Sequence, residues 1–366
     1  MPATPEDFEC VLPQLPEVRF LEVLNAHTRD SRLRFFAGDH KYTWDGELTL
    51  GSVTGLIHHF CHPFVENEVI DRMREGPNWP RVGYMAIPTT LNIIDGLRGS
   101  PLAGYLVSLL EVDNPDEAAV AMEARRLRHL DPRIRSALIA LGKAKHDIKK
   151  EWENNRNRAA NAGAWMHWTL EAWINMAIPA PTSHEFCLFQ RLMPEFAGVA
   201  AYRTEWTVYA DEERLAGSID FVAKNAQGEL ILFDWKRSKD LRSKYRSFGN
   251  RCMRPPLDYI PDSQGHHYRL QLNAYRYILE KYYGEKVAVM WVVCLHPDNG
   301  ASAFVDKVPF MDEAVFAMMS YQRERAYNCT RMTASDLYDM DPFGWHGFRQ
   351  RGNGRLCAVG HGFGGR

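Results

Sequence analysis

Apolar and polar positions change period several times along this 366-residue chain, and each change marks an element. Three short runs rich in β-branched and aromatic residues read as strands: AYRTEWTVYA (201–210), RLAGSIDFVA (214–223) and ELILFDWK (229–236). The last two enclose Asn225-Ala226-Gln227-Gly228, a polar, glycine-containing turn signal, so 217–236 forms a β-hairpin. Strand alternation puts Ile219, Phe221, Ile231 and Phe233 on one face and Val222 and Leu232 on the other. Apolar residues on both faces predict a sheet covered by helices on each side. KVAVMWVVCLHP (286–297) is apolar without alternation, as a strand buried on both faces should be. Helical patterns cover 113–153 (highly charged), 158–178 (apolar-rich, ending before Pro179 and Pro181), 265–284 (closed by Gly284) and 310–328. Upstream, RLRFF, a turn at Ala37-Gly38-Asp39, KYTW and a second turn at Asp45-Gly46 predict a small hairpin, and Ser52 is placed to cap the helix SVTGLIHHF.

The expected organisation is an N-terminal arm (1–31), an N-terminal hairpin and helical region (32–157), a mixed α/β core (158–330) and a Gly/Arg-rich disordered tail (331–366). Residues 79–104, rich in Pro and Gly, read as irregular, and 237–262 as a long basic loop.

Composition narrows the function classes. The chain is 45% hydrophobic and 25% charged, typical of a globular protein, and long enough to bury a core without staples. A net charge of −2 gives no global field for nucleic acid, so any polyanion site is a local patch. Seven scattered cysteines with no CxxC pair argue against a disulfide framework, a zinc cluster and an iron–sulfur cluster, and fit a reducing intracellular compartment. With neither an 18-residue apolar run nor a signal or transit pattern at the N-terminus, no membrane span is expected.

The chemistry concentrates on the hairpin. Folding about Gln227 sets Asp220 opposite Asp234, and like charges facing across strands are destabilising without a compensating charge. A divalent cation supplies one, since Mg²⁺ is held by one or two carboxylates with water and substrate phosphates. Lys236 follows Asp234 by two residues and shares its face. His167 and Glu171, i and i+4 on a helix, are placed to extend the site, the alternative being a satisfied core histidine beside a solvated glutamate. Gln271 and Tyr275 are again i and i+4, suited to holding the lysine or a phosphate and to contacting backbone or base, or else to packing with Tyr268 and Leu272. Glu205 is either a further acidic ligand or a salt-bridge partner of Arg203 or Arg214. Arg237, Lys239, Arg242, Lys244 and Arg246 leave directly from the hairpin and favour phosphate binding over a merely solvated loop.

Together, G-S-I-D (217–220), D-W-K (234–236) and Q-L-N-A-Y (271–275), preceded by G-x-x-x-H-x-x-x-E (163–171), are similar to the PD-(D/E)XK nuclease superfamily, in its RecB-like exonuclease branch of mitochondria and viruses. The resemblance spans roughly 160–297, and HKYTWDGELTLGSVTGLIHHFCHPF resembles the segment preceding the nuclease core in proteins of large DNA viruses and some eukaryotes. It implies a restriction-endonuclease-like core, a mixed central sheet flanked by helices, with a mostly helical N-terminal extension. It implies Asp220, Asp234, the Trp235 carbonyl and His167 around Mg²⁺ or Mn²⁺, with Lys236 orienting or activating water and Gln271 and Tyr275 as the last motif. Ala164 stands where the usual G-T-x-x-H has a hydroxyl residue, and the cysteines that hold an iron–sulfur cluster in some relatives are absent. The implied function is metal-dependent hydrolysis of DNA, as an exonuclease in repair, recombination or replication, located in nucleus, cytoplasm or viral factory. The alternatives are a structure-specific endonuclease, a non-catalytic nucleic-acid-binding module on the same fold, or an interaction domain.

Overall fold

The computed structural model describes residues 15–36, 38, 41–87, 91–331, 348–351 and 355–358. It contains two compact units, one of residues 1–62 with 161–366 and one of residues 63–160. Residues 32–62 thus belong with the sheet, rather than with the helical region to which the sequence pattern assigned them.

The first unit begins with α1 (Phe20–Leu24) and a three-stranded meander, β1 (Leu33–Phe36), β2 (Lys41–Trp44) and β3 (Glu47–Leu48), followed by β4 (Gly51–Ser52) and α2 (Val53–Phe60). The β2–β3 turn places Asp45 (φ 50°) and Gly46 (φ 83°) in the left-handed region that a type I′ turn requires. Ser52 caps α2, its Oγ accepting from the Gly55 N–H at 3.1 Å.

The second unit is helical: α3 (Glu66–Glu75), α4 (Leu91–Arg98), α5 (Gly104–Leu110), α6 (Glu117–Leu130) and α7 (Arg135–Ala140). Its core is Leu97, Leu106, Ala121, Ala124, Leu127 and Leu138. The segment 79–104, expected to be irregular, contains α4. The unit boundary falls within α8 (Lys145–Ile174), a 30-residue helix. The sequence pattern divided it at 153–158, but neither Gly nor Pro interrupts residues 145–162, and the charged run there continues the helix.

The remaining elements return to the first unit: α9 (His184–Leu192), β5 (Ala200–Ala210), β6 (Leu215–Lys224), β7 (Leu230–Lys236), α10 (Gln264–Tyr282), β8 (Val287–Cys294), β9 (Phe304–Lys307) and α11 (Asp312–Arg331). They form a mixed six-stranded sheet in the order β4-β6-β7-β8-β9, with β5 also paired to β6. β4–β6 and β7–β8 are parallel and the other pairs antiparallel. One face is covered by α2, α10 and α11 through Leu56, Phe60, Leu270, Ile278 and Met318. The other is covered by α8 and α9 through Met166, Leu170, Phe186 and Phe189, packed on Phe221, Phe233 and Trp235. This is an α/β architecture, a mixed sheet between helices.

Residues 20–31, assigned from the sequence to the N-terminal arm, are fixed to the core. The Leu21 N–H donates to Asn175 Oδ1 at 2.9 Å. Asp30 receives the buried Arg203 guanidinium at 2.7 Å and the Trp206 indole N–H at 3.1 Å. Residues 1–14 lie outside the described residues. So does the tail, except for the backbone of an antiparallel pair, β10 (Phe348–Arg351) and β11 (Arg355–Ala358). Among the described residues no helix is long and apolar enough to cross a membrane.

Candidate active site

The site lies where the β6–β7 ladder stops. β5 runs along the whole of one edge of β6, from Leu215 to Lys224. β4 and β7 therefore share the other edge, β4 opposite Leu215 and Ala216 and β7 opposite Phe221 to Lys224. Between them, on that edge, Gly217–Asp220 face no strand among the described residues. The hairpin register is that of a fold about Gln227, Phe221 pairing with Phe233, but pairing ends one step before the two aspartates meet. Asp220 bridges the opening, its Oδ2 accepting the Trp235 N–H at 2.8 Å.

The pleat slips at the same step. Ile219 lies with Val222 in the core beneath α10, whereas Phe221 lies in the core beneath α8. Simple alternation had put Ile219 and Phe221 on one face. The slip coincides with Glu205, which stands beside Asp220 on β5 with φ 42°. A left-handed backbone at a non-glycine residue costs on the order of 1 kcal/mol or more and persists only where its surroundings enforce it. It brings the Glu205 carboxylate to the site, where Oε2 accepts from the Ser218 hydroxyl at 3.1 Å. Arg203, a partner considered for Glu205, is engaged by Asp30 instead.

Asp234 is 2% exposed. Lys236 Nζ lies 2.7 Å from both of its carboxylate oxygens. Oδ1 accepts a hydrogen bond from it, and Oδ2 has no well-aligned donor among the described residues. Burial works against the lysine's charge, but Asp234 and Asp220 outweigh it and hold the ammonium protonated well above its usual range. Nζ also sits 4.6 Å from the Tyr268 ring centroid, a cation–π contact from α10.

From α8, His167 Nε2 lies 3.0 Å from the Trp235 carbonyl, while Nδ1 is 3.7 Å from both Glu205 and Asp220. A neutral ring donating to that carbonyl aims its Nδ1 lone pair at two carboxylates, an arrangement relieved only by a proton or a cation at that point. Burial lowers the imidazole's proton affinity, but the charges of Asp220 and Glu205 prevail and raise its pKa to about 9. Asp220 is pushed up to about 7 by burial and by Asp234, against the opposing charge of His167. Ligand atoms of His167, Glu205 and Asp220 lie within 4.8 Å of one another, a nitrogen-and-oxygen donor set that fits a divalent ion. Glu171 stands behind this group, hydrogen bonded by the Thr204 hydroxyl at 3.5 Å, and burial with the Glu205 charge raises it to about 7.

Gln271 and Tyr275 come from α10, the amide donating to the phenol oxygen at 3.2 Å. The Tyr275 ring lies against the backbone of Gly217, where a Cβ would come within 2.5 Å of Cε1. The glycine of G-S-I-D is thus explained by the tyrosine of Q-L-N-A-Y.

The basic loop divides. Arg237, grouped with the phosphate binders, donates to Glu185 at 2.8 Å and is largely buried. Lys239 pairs with Asp298 at the surface at 3.1 Å, and Arg242 lies over Phe304 at 5.0 Å. Arg242 and Arg246 are exposed and Lys244 half-buried. Tyr268, a packing residue by sequence pattern, also meets Lys236; its spacing of three and seven residues from Gln271 and Tyr275 places it on their face.

No family model matches the chain. No curated protein matches it either. A solved structure titled "Crystal structure of SSO0001" aligns at a TM-score of 0.24 and 15% identity, over 60% of this chain and 78% of that one, a likeness too loose to carry any argument.

Proposed function

We propose that this protein is a metal-dependent nuclease that hydrolyses phosphodiester bonds in DNA. The carrying observation is the convergence of Asp220, Asp234, Lys236, His167 and Glu205 on one break in the sheet, with an ammonium ion held beside a buried carboxylate. The donor set of His167, Glu205 and Asp220 suits Mg²⁺ or Mn²⁺; the resemblance adds Asp234 and the Trp235 carbonyl as ligands, although Asp234 stands outside that group and is engaged by Lys236. Bound there, a divalent ion lowers the pKa of water and neutralises charge on the scissile phosphate.

The chain's own residues supply the rest. Asp234 holds Lys236 at the site, and Lys236 presents a fixed positive charge to the phosphate oxygen on which charge develops. His167 links the Trp235 backbone to the acidic group and fixes its orientation. Gln271 and Tyr275 close the site beneath Gly217. Arg242, Lys244 and Arg246 offer charge to a polynucleotide backbone that continues from the site. The resemblance noted in the sequence makes an exonuclease the preferred form of the activity.

The test is digestion of linear and circular, single- and double-stranded DNA with Mg²⁺ or Mn²⁺. Degradation of linear molecules alone is expected from the wild type and none from Asp234→Ala. Nicking of closed circles would make the enzyme an endonuclease, and a wild type that cuts neither DNA nor RNA would refute the proposal.

A further inference from the structure

Away from the proposed active site, Cys61, Asp262 and His267 bring three metal-ligating atoms together. Cys61 follows the last residue of α2, Asp262 ends the basic loop, and His267 is in the first turn of α10. The Cys61 Sγ and Asp262 Oδ1 both approach the same ring nitrogen, His267 Nε2, at 3.2 and 2.9 Å.

A Cys-His-Asp nucleophile relay needs the carboxylate on the ring nitrogen opposite the thiol. Here both groups crowd one nitrogen, which has at most one proton to give. The Cys61 thiol meanwhile is 3.3 Å from the Ile57 carbonyl, the natural acceptor of its own proton. In a tetrahedral zinc site with ordinary bond lengths, ligand atoms stand about 3.3–3.6 Å apart. The observed separations are a few tenths of an ångström shorter, so a modest expansion admits an ion. The outer contacts suit one too. The other oxygen of Asp262 accepts the His62 N–H at 2.8 Å, which orients the carboxylate. The loop is pinned by a backbone bridge between Cys252 and Pro261, next to Asp262.

We infer that Cys61, Asp262 and His267 form a zinc site, with solvent in the fourth position. Thiolate, imidazole and carboxylate are ligands zinc accepts together, and a thiolate disfavours Mg²⁺. The ion ties the end of α2 to the start of α10, the helix that carries Tyr268, Gln271 and Tyr275.

Cobalt(II) titration of the purified full-length protein tests this. A thiolate–cobalt charge-transfer band is expected to saturate at one equivalent, to be displaced by zinc, and to vanish in Cys61→Ser. It should persist in Cys252→Ser and in Asp234→Ala. The proposed active site contains no cysteine, so it cannot produce this band whether or not it is a nuclease centre. Absence of the band in the wild type, or its survival in Cys61→Ser, would overturn the inference. His267→Gln provides a second variant should Cys61→Ser fail to fold, with loss of the band expected there as well.

Discussion

Lys236 and Asp234 form a nearly buried ion pair, 17% and 3% exposed at their side chains. Removing one partner from such a pair leaves an uncompensated charge and typically costs about 3–5 kcal/mol. Lys236→Ala is therefore expected to destabilise the protein by that order in urea unfolding, and Asp234→Ala added to it to recover part of the loss. Additive losses would mean the pair is not coupled. Asp220 gives a pH signature. In metal-free protein its pKa is raised to about 7 from 3.8, so the folded state keeps a proton that the unfolded chain has released. That contribution is complete below about pH 4 and disappears as pH rises through 7, with an upper limit of about 4 kcal/mol. His167, raised from 6.5 to about 9, continues the decline over that higher range. Urea midpoints in EDTA should fall between pH 5 and 8 for the wild type and fall less for Asp220→Asn. Equal slopes would remove Asp220 as the cause.

The hairpin register and the shared face of Asp234 and Lys236 were legible in the sequence, because a period of two and a short turn leave one consistent pairing. The placement of Glu205 was not, because it depends on a left-handed backbone that alternation cannot express. Gly217 was equally opaque, since its partner Tyr275 is distant in sequence and meets it only when α10 lies on the sheet. Gly217→Ala puts a methyl group within 2.5 Å of the Tyr275 ring. Overpacking of this kind costs about 1–3 kcal/mol, and cleavage should fall with it. Tyr275→Leu in the same chain should relieve part of the stability loss while leaving cleavage impaired. Full additivity in denaturant unfolding would show that the two positions do not meet.

At the scale of the molecule, the sequence pattern identified the α/β core but not everything that completes it. β4 is two residues long and α1 five, too short for a periodic signal, yet β4 defines one side of the opening that holds the site. The arm's attachment was equally hidden, since Asp30 is identified by Arg203 and Trp206, both distant in sequence. Asp30→Ala should leave that buried guanidinium without its counter-charge and lower the thermal midpoint; an unchanged midpoint would separate residues 20–31 from the core. The proposed work of the site beside β4 is phosphodiester hydrolysis. The most direct measurement is Mn²⁺- or Mg²⁺-dependent cleavage of end-labelled linear DNA by wild type, Asp234→Ala and Lys236→Ala, with DNA binding measured in parallel. Metal-dependent cleavage by the wild type, reduced about 10²–10³-fold in both variants while binding largely survives, is the expected result; DNA left intact by the wild type with either metal, or cut equally well by the variants, would contradict it.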